Sequence, residues 1–413
     1  MNSSVEYNIE KYKMPAFYLS VVAMLTGLLF SRALLSSGII LFVVLSLIHR
    51  NIVRQVRTFF TSPLLWSMSL LFLLPAISGL WSADLSQWSR ILRVKLPLLL
   101  LPFCFAGENN LKFKDWQRIA FVFLALIFAG ICQSLWQYAQ SVHAIHAAYL
   151  KAYTIETPLG NDHVRFSLLV VIAILTIVYL LTVSGKSFKK STKALLLILV
   201  VINIIYLHVL AVRTGLICFY LGAFIFLIWM MSQHIRKTFF LLILVFLLPI
   251  ASYFIFPTFK NKIHYLKYDL SFVQKNIYVP GSNDGNRFAS IKAGVELLKQ
   301  NPFAGVGFGD IKSEKDKFYE TNFPQMSTND KILPSSEWMI YGAGTGWLGV
   351  IFFSFILLIP FFLKELRKNI FWTLLNIFIA FSYLFDIGLE VQYGVFVHSF
   401  IILWWYKWLQ LKE

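Results

Sequence analysis

Residues 194–232 read ALLLILVVINIIYLHVLAVRTGLICFYLGAFIFLIWMMS, and Arg213 is the one lysine, arginine or carboxylate in the stretch. About 20 mainly apolar helical residues cross a bilayer. The stretch therefore holds two such lengths, 194–211 and 214–232, with Arg213 at the junction. Working outward from it, similar apolar runs appear near 15–30, 37–48, 62–82, 91–106, 118–139, 164–183, 238–256, 336–363, 369–387 and 391–410. The whole chain shares this character: of 413 residues 58% are hydrophobic and 14% charged. Soluble domains run about 45–50% apolar and about 25% charged, and a water-soluble globule this apolar would expose large sticky patches. The 40 Phe, 18 Tyr and 12 Trp exclude a solvated, disordered chain. The expected fold is an all-α polytopic membrane protein with about twelve transmembrane helices.

The net charge of +17 gains meaning from its placement. With the N-terminus inside, the alternate connecting segments hold 19 Lys/Arg: Lys11, Lys13, Arg50, Arg54, Arg57, Lys112, Lys114, Arg118, Lys186, Lys189, Lys190, Lys193, Arg236, Lys237, Lys364, Arg367, Lys368, Lys407 and Lys412. The short outer segments hold 5, namely Arg32, Arg90, Lys151, Arg165 and Arg213. This asymmetry obeys the positive-inside rule, and one helix more or fewer would scramble it. The charge is thus a topology signal and not a nucleic-acid signal. Both termini are expected in the cytoplasm. The polar N-terminus shows no short apolar core with a small-residue cleavage site, so no cleaved signal peptide is read. Cys104, Cys132 and Cys218 lie inside apolar runs and are read as small buried hydrophobes.

The boundaries that follow are 1–256 for nine helices, 257–335 for a long extracytoplasmic loop, and 336–413 for three more helices. The loop holds 11 Lys/Arg, which does not break the rule, because long segments cross regardless of charge. A structureless loop of that length is usually functional or disordered, but this one carries order. Phe288, Ile291, Val295 and Leu298 recur at helical spacing. Ser282 or Asp284 can cap that helix and Pro302 follows it.

Several residues at the outer helix ends can carry chemistry. Arg213 lies near the bilayer edge, where a cation needs water, a partner or an anion, and guanidinium matches phosphate oxygens in a planar fork. Arg287 opens the loop helix. Gly305, Gly307 and Gly309, in NPFAGVGFGD, allow close backbone approach to a ligand or a sharp turn. They do not form a dinucleotide fingerprint, since no strand precedes them. Ser335, Ser336 and Glu337 lead into the tenth helix. His163 and Arg165 start the sixth, and Glu390 and Gln392 start the twelfth. His208 and His398 lie in apolar runs and read as packed histidines; His143, His146 and His264 share no metal-ligand spacing. Cations converging at one membrane face suit a lipid-borne anion such as a diphosphate, and no DxD pair among the outer acids offers a metal. No cofactor is expected.

In order, these features resemble the O-antigen ligase / O-antigen polymerase superfamily of bacteria. Arg213-Thr-Gly is similar to its Ser-Arg-Gly turn. Arg287, the amphipathic helix and NPFAGVGFG are similar to its Arg…Pro-x-x-Gly-x-Gly-x-Gly segment. SEWMIYGAGTGWLGV is similar to its entry into the tenth helix, and LEVQYGVFVHSF resembles the last helix of ligase-like proteins from Bacteroidetes-type bacteria. The resemblance implies a metal-independent inner-membrane glycosyltransferase acting on the periplasmic face. Its donor is a glycan on undecaprenyl diphosphate. Its acceptor is lipid A–core for a ligase, the favoured form, or another lipid-linked repeat for a polymerase. Arg213, Arg287 and Glu337 are then catalytic. His163, Arg165, Gly305, Gly307, Gly309, Ser335, Ser336, Glu390 and Gln392 bind substrate. Where the family carries His-Asn this chain has Ser335-Ser336, so the base falls to Glu337, His163 or His264, or the chain is an inactive partner in glycan assembly. A transporter or flippase of lipid-linked glycan is the competing reading, and Arg93 and Lys95, near the fourth helix, speak for it.

Overall fold

The computed structural model describes residues 3–48, 51–107, 111–151, 153–185, 187–231, 235–275 and 277–411. The topology cations Arg50, Lys186 and Lys412 lie outside the described residues, as do the side chains of Lys11 and Lys237. The described residues are mostly helical and contain no strand. Lipid offers no hydrogen-bond partner to the backbone, so apolar stretches of this length satisfy it internally as helix.

Seven helical stretches are long and apolar enough on their own to cross a bilayer: Lys13–Phe30, Phe113–Gln140, His163–Thr182, Lys190–Leu210, Arg213–Met231, Thr238–Ile255 and Glu337–Phe362. The other five expected segments are helical but shorter or interrupted. Arg32–Leu47, Pro63–Ser78 and Ile370–Phe385 each have 16 residues. The expected 91–106 helix starts earlier and splits into Leu85–Lys95 and Pro97–Ala106. Pro97 supplies no N–H, which sets the start of the second piece. Near 392–410 the last helix passes through a π-helical turn, Val397–Ile401. These segments make this a multi-pass membrane protein. His163–Thr182 is its central helix, 83% buried, whereas Thr238–Ile255 is 11% buried and presents its apolar surface outward. Cys104 and Cys218 are buried as expected, whereas Cys132 is exposed on Phe113–Gln140.

The polar segment 257–335 folds into Pro257–Gln274, Asn283–Gln300 and Ile311–Asn322, with a 3-10 turn at Thr328–Asp330. The Asn283–Gln300 helix stands where the apolar spacing puts it. Ser282 caps it by accepting from the Gly285 amide at 2.8 Å. Its packed face differs from the expected one, however. Asn286, Ala289, Ser290, Ala293, Gly294, Leu297 and Leu298 are buried, while Phe288 is 45% exposed. Small residues face inward because the neighbouring helix comes close: a Cβ on Gly294 would lie 2.8 Å from Met339 Cβ and 3.0 Å from Pro334 Cβ.

The Glu337–Phe362 helix is broken at Thr345 and Gly346, the latter at φ +69°. Such a break strands backbone groups inside the bundle. The glycine turn of the loop satisfies them: Val306 N donates to Ala343 O at 2.7 Å, Gly307 N to Gly344 O at 3.1 Å, and Trp347 N to Pro302 O at 2.8 Å. The turn is also fastened to the first half of the chain. Phe308 N donates to Ser78 Oγ at 3.1 Å and Gly309 N to Ser82 Oγ at 3.2 Å. Asp310 accepts from Ala83 N and Asp84 N at 2.7 and 2.9 Å.

Candidate functional site

A cationic cleft forms where the Asn283–Gln300 helix meets the first turns of two membrane helices. Ala211 takes a left-handed conformation (φ 51°) that ends Lys190–Leu210, and the chain turns so that Arg213 is the first residue of the next helix. Its guanidinium makes a two-point ion pair with Asp284, Nη1 to Oδ2 at 3.0 Å and Nη2 to Oδ1 at 2.7 Å. Asp284 is held in turn by Asp269, which is buried, accepts from the Asp284 amide at 2.9 Å and is bonded by Ser282 Oγ. Arg287, one helical turn beyond Asp284, donates from Nη1 to Phe385 O at 3.3 Å. Burial and the neighbouring Arg213 both draw its proton affinity down.

Lys262 joins them from the Pro257–Gln274 helix. Burial, then the Arg213 guanidinium, lowers its pKa to about 8, with Arg287 acting in the same sense. With Arg213, Asp284 and Leu216 it lines a cavity of about 70 Å³. His163 lies within electrostatic reach of both Lys262 and Arg287. The cleft thus gathers three permanent or titratable cations and one imidazole, with Asp284 between Arg213 and Lys262, Asp269 behind it and Asp386 on the Arg287 side. Like charges this close repel unless an anion sits among them.

Arg165 borders the cleft, with both terminal guanidinium nitrogens engaged and its buried Nε without a partner. It pairs with Asp162, which caps its helix, and reaches Asp386 at 3.0 Å and Ile387 O at 3.0 Å. It therefore anchors the 386–390 segment to the central helix. Below that segment lies a second, buried knot. Lys95 Nζ, with no solvent exposure, donates to Glu390 Oε1 at 2.6 Å and to Leu389 O at 3.0 Å. It also sits over the rings of Phe308 and Tyr341, 5.5 and 5.1 Å from their centroids. Leu389 is the bridge, because its amide donates to Glu337 Oε1.

The expected site residues therefore sort into five places. Arg213, Arg287 and His163 share the cleft, with Arg165 at its edge. Glu337 does not face it: the residue is fully buried, its contacts run to the 389–390 segment, and its Oε2 has no partner. It braces the 386–390 segment by accepting from the Leu389 amide. Glu390 is the counter-ion of Lys95. Gly305, Gly307 and Gly309 belong to the docking turn, with the amides of 306–309 spent on protein acceptors. Ser335 bonds Ser290 Oγ at 2.9 Å and Ser336 Oγ donates to Tyr383 O at 3.3 Å; both are buried at the loop's seam. Gln392 donates to Ser36 Oγ at 2.8 Å, fastening two membrane helices. His208 is packed, bonded to Ile204 O at 2.7 Å and to Tyr220 at 2.6 Å. His398 meets Tyr383 at 2.8 Å through the π turn.

Lys262, Asp386 and the role of Asp284 as an ion-pair partner escaped the sequence reading. Lys262 is one of several loop lysines, and only the fold singles it out. Arg93 is solvent-facing, with Nε 3.4 Å from Ser89 O, and Lys95 is clamped to Glu390. Lys95, one of the two cations that spoke for a transporter, is thus the buried partner of a structural ion pair. Residues 198–354, which hold Arg213, Lys262, Arg287, the glycine turn and the broken helix, match the family model described as O-antigen ligase. No curated protein matches the chain.

Proposed function

We propose that this membrane protein of the O-antigen ligase superfamily transfers a glycan from undecaprenyl diphosphate to an acceptor hydroxyl at the periplasmic face of the inner membrane. The termini then lie in the cytoplasm, and the boundaries are 1–256, 257–335 and 336–413. The observation that carries this reading is the convergence of Arg213, Arg287 and Lys262 at the end of the bundle, with Asp284 paired to Arg213 between them.

The acceptor oxygen attacks the anomeric carbon, the bond from that carbon to the diphosphate oxygen breaks, and the electron pair leaves with the lipid diphosphate. Preorganised cations aimed at the growing charge are usually the largest catalytic term, and losing one costs roughly 10²–10³ in rate. Three side-chain cations meet that charge, so the chemistry is read as metal-independent. Asp284 holds Arg213 in place until the diphosphate takes over its fork. With Glu337 turned away, His163 is the cleft residue able to accept the hydroxyl proton.

The lipid chain has a matching path. An apolar groove of about 200 Å³ runs between His163–Thr182, Lys190–Leu210, Arg213–Met231, Thr238–Ile255 and Ile370–Phe385, with Phe219 and Leu227 in its wall. At 1.5 Å per residue these lie roughly 9 and 21 Å along the helix from Arg213. A headgroup in the cleft therefore leaves its tail in the groove.

Lipid A–core is the favoured acceptor, and a second lipid-linked repeat is the alternative. Whole-cell glycan analysis of Arg213→Ala, Arg287→Ala and His163→Asn tests the assignment. Long-chain polysaccharide is lost in each if the reading is right. Unchanged polysaccharide at normal protein levels overturns it. Deletion of the gene separates the acceptors, because a missing ligase strands polymer on the carrier while a missing polymerase leaves single repeats.

A further inference from the structure

On the other side of the 386–390 segment lies a larger cavity, of about 360 Å³, that the transfer step does not use. Its wall carries Arg90, Lys312, Lys315 and Lys331, and Glu390 is its one carboxylate. That carboxylate is already neutralised by Lys95 at 2.6 Å. Lys315 is occupied, donating to Lys331 O at 2.8 Å and to Asp316. Among the described residues Arg90, Lys312 and Lys331 make no ion pair. A cleft lined by one sign of charge and backed by low-dielectric walls focuses its field on an incoming counter-ion, and here Phe308, Ile340 and Leu333 form such a wall.

A second observation points the same way. The Ile311–Asn322 helix begins at this cavity, with Ile311 and Lys312 in its lining. Its N-cap residue, Asp310, makes no capping bond, because both carboxylate oxygens accept amides of the 83–84 turn. The first turn of this 12-residue helix is thus left without a side-chain cap, and its one acid, Glu314, is paired with Lys317 at 2.7 Å, so the helix end adds its positive potential to that of the lysines. The cavity and the Arg213 cleft flank one five-residue segment: Asp386 faces Arg165 and Arg287 at one end, while Glu390 closes the cavity at the other.

We propose that this cavity is the acceptor subsite, binding a phosphate group carried by the acceptor through Arg90, Lys312 and Lys331. The assignment of an acceptor rests on the transfer reading above; the anion site itself does not. The phosphate comes from a phosphorylated lipid A–core or from the diphosphate of a second lipid-linked repeat, and the two sources are separated by testing each.

The experiment uses the full chain in nanodiscs. Binding of each acceptor is measured without donor, for wild type and for Lys312→Gln/Lys331→Gln, using lipid A–core, enzymatically dephosphorylated lipid A–core, and an undecaprenyl-diphosphate repeat. A charge-assisted contact contributes about 1.5–3 kcal/mol, so each lost cation weakens binding roughly tenfold or more. The double variant, which removes two cations, should weaken binding of the phosphorylated probe roughly a hundredfold. It should bind the dephosphorylated probe as wild type does, and pyrophosphate should still bind at the Arg213 cleft. Transfer assays should show the acceptor KM raised by a similar factor, with donor KM and kcat unchanged. The proposal is overturned if wild type and double variant bind the phosphorylated probes equally, if the variant loses as much on the dephosphorylated probe, or if phosphatidylglycerol nanodiscs compete as well as the acceptor does. Phosphate-dependent binding without any transfer by the wild-type protein would sustain the site and refute the transferase reading instead.

Discussion

Replacing Lys95 with methionine tests the buried knot that supports the cleft from below. Lysine and methionine have similar stems, so Phe308 and Tyr341 stay covered and the main loss is the charge. Glu390, with 9% side-chain exposure, then has no cation. Glu337 remains fully buried next to it with one oxygen unbonded. Removing one member of a buried pair costs about 3–5 kcal/mol, because the remaining charge is left without compensation. Removing both is far milder: Lys95→Met/Glu390→Gln should lie within about 1–2 kcal/mol of wild type. The cycle should therefore show a coupling of at least about 2 kcal/mol. Reversible unfolding in mixed micelles, titrated with a denaturing detergent and read by tryptophan fluorescence, gives the three differences. A Lys95→Met protein within about 1 kcal/mol of wild type, or a double variant no more stable than the single, would refute the argument that this pair is a dry structural bolt.

Other outcomes follow from the same geometry. Gly307→Ala places a Cβ 2.4 Å from Ser82 Oγ on a backbone at φ +88°; the strain alone costs about 1–3 kcal/mol. Protease should then cut the 302–309 turn faster than in wild type. Lys262 loses its charge as pH rises through about 8. Donor kcat/KM should fall toward about tenfold per pH unit above that value, and Lys262→Arg should abolish the fall, because guanidinium stays protonated. A pH profile identical in the two proteins would exclude Lys262 from donor binding.

Asp330 ties the far end of the loop. Its carboxylate accepts from Tyr278 at 2.6 Å, Gly281 N at 3.1 Å, Asn286 at 2.7 Å and Ser327 at 2.9 Å. Burial raises its proton affinity, but these four bonds outweigh burial and hold it below the usual aspartate value. A depressed carboxyl pKa contributes stability above the unfolded-state value and loses it as pH falls through the folded one. Hydrogen exchange across 277–330 should accordingly rise in that acid range, and Asp330→Asn should flatten the response.

The apolar runs revealed the helices because hydropathy is a local property. They could not reveal that the 91–106 stretch splits at Pro97, or that Gly346 breaks a membrane helix for the loop to fill. Polar residues at helix ends were equally visible: Arg213 and Arg287 come together, with His163 within electrostatic reach of Arg287. What they meet was not, since Asp284, Lys262 and Asp386 come from three separate elements joined only by the fold. Glu337 shows the same limit from the other side. A carboxylate at a helix entry reads as a base on sequence grounds, and three-dimensional packing turns it toward Leu389. The glycine motif was visible as a turn, while its partners, Ser78 and Ser82, lie more than two hundred residues earlier.

The Lys95–Glu390 pair also has a history in time. Its members are 295 residues apart, and translation runs at about 5–20 residues per second, so the lysine emerges roughly 15–60 s before its partner exists. Throughout that interval an unmatched cation must wait at or beside the bilayer, held by lipid headgroups or by the insertion machinery. The 386–390 segment, and with it the Glu390 wall of the larger cavity, closes only when the last helix arrives. A nascent chain would thus be inert toward lipid-linked sugars until its synthesis is nearly complete, and chains stopped short of residue 390 would present quality control with a lone buried charge.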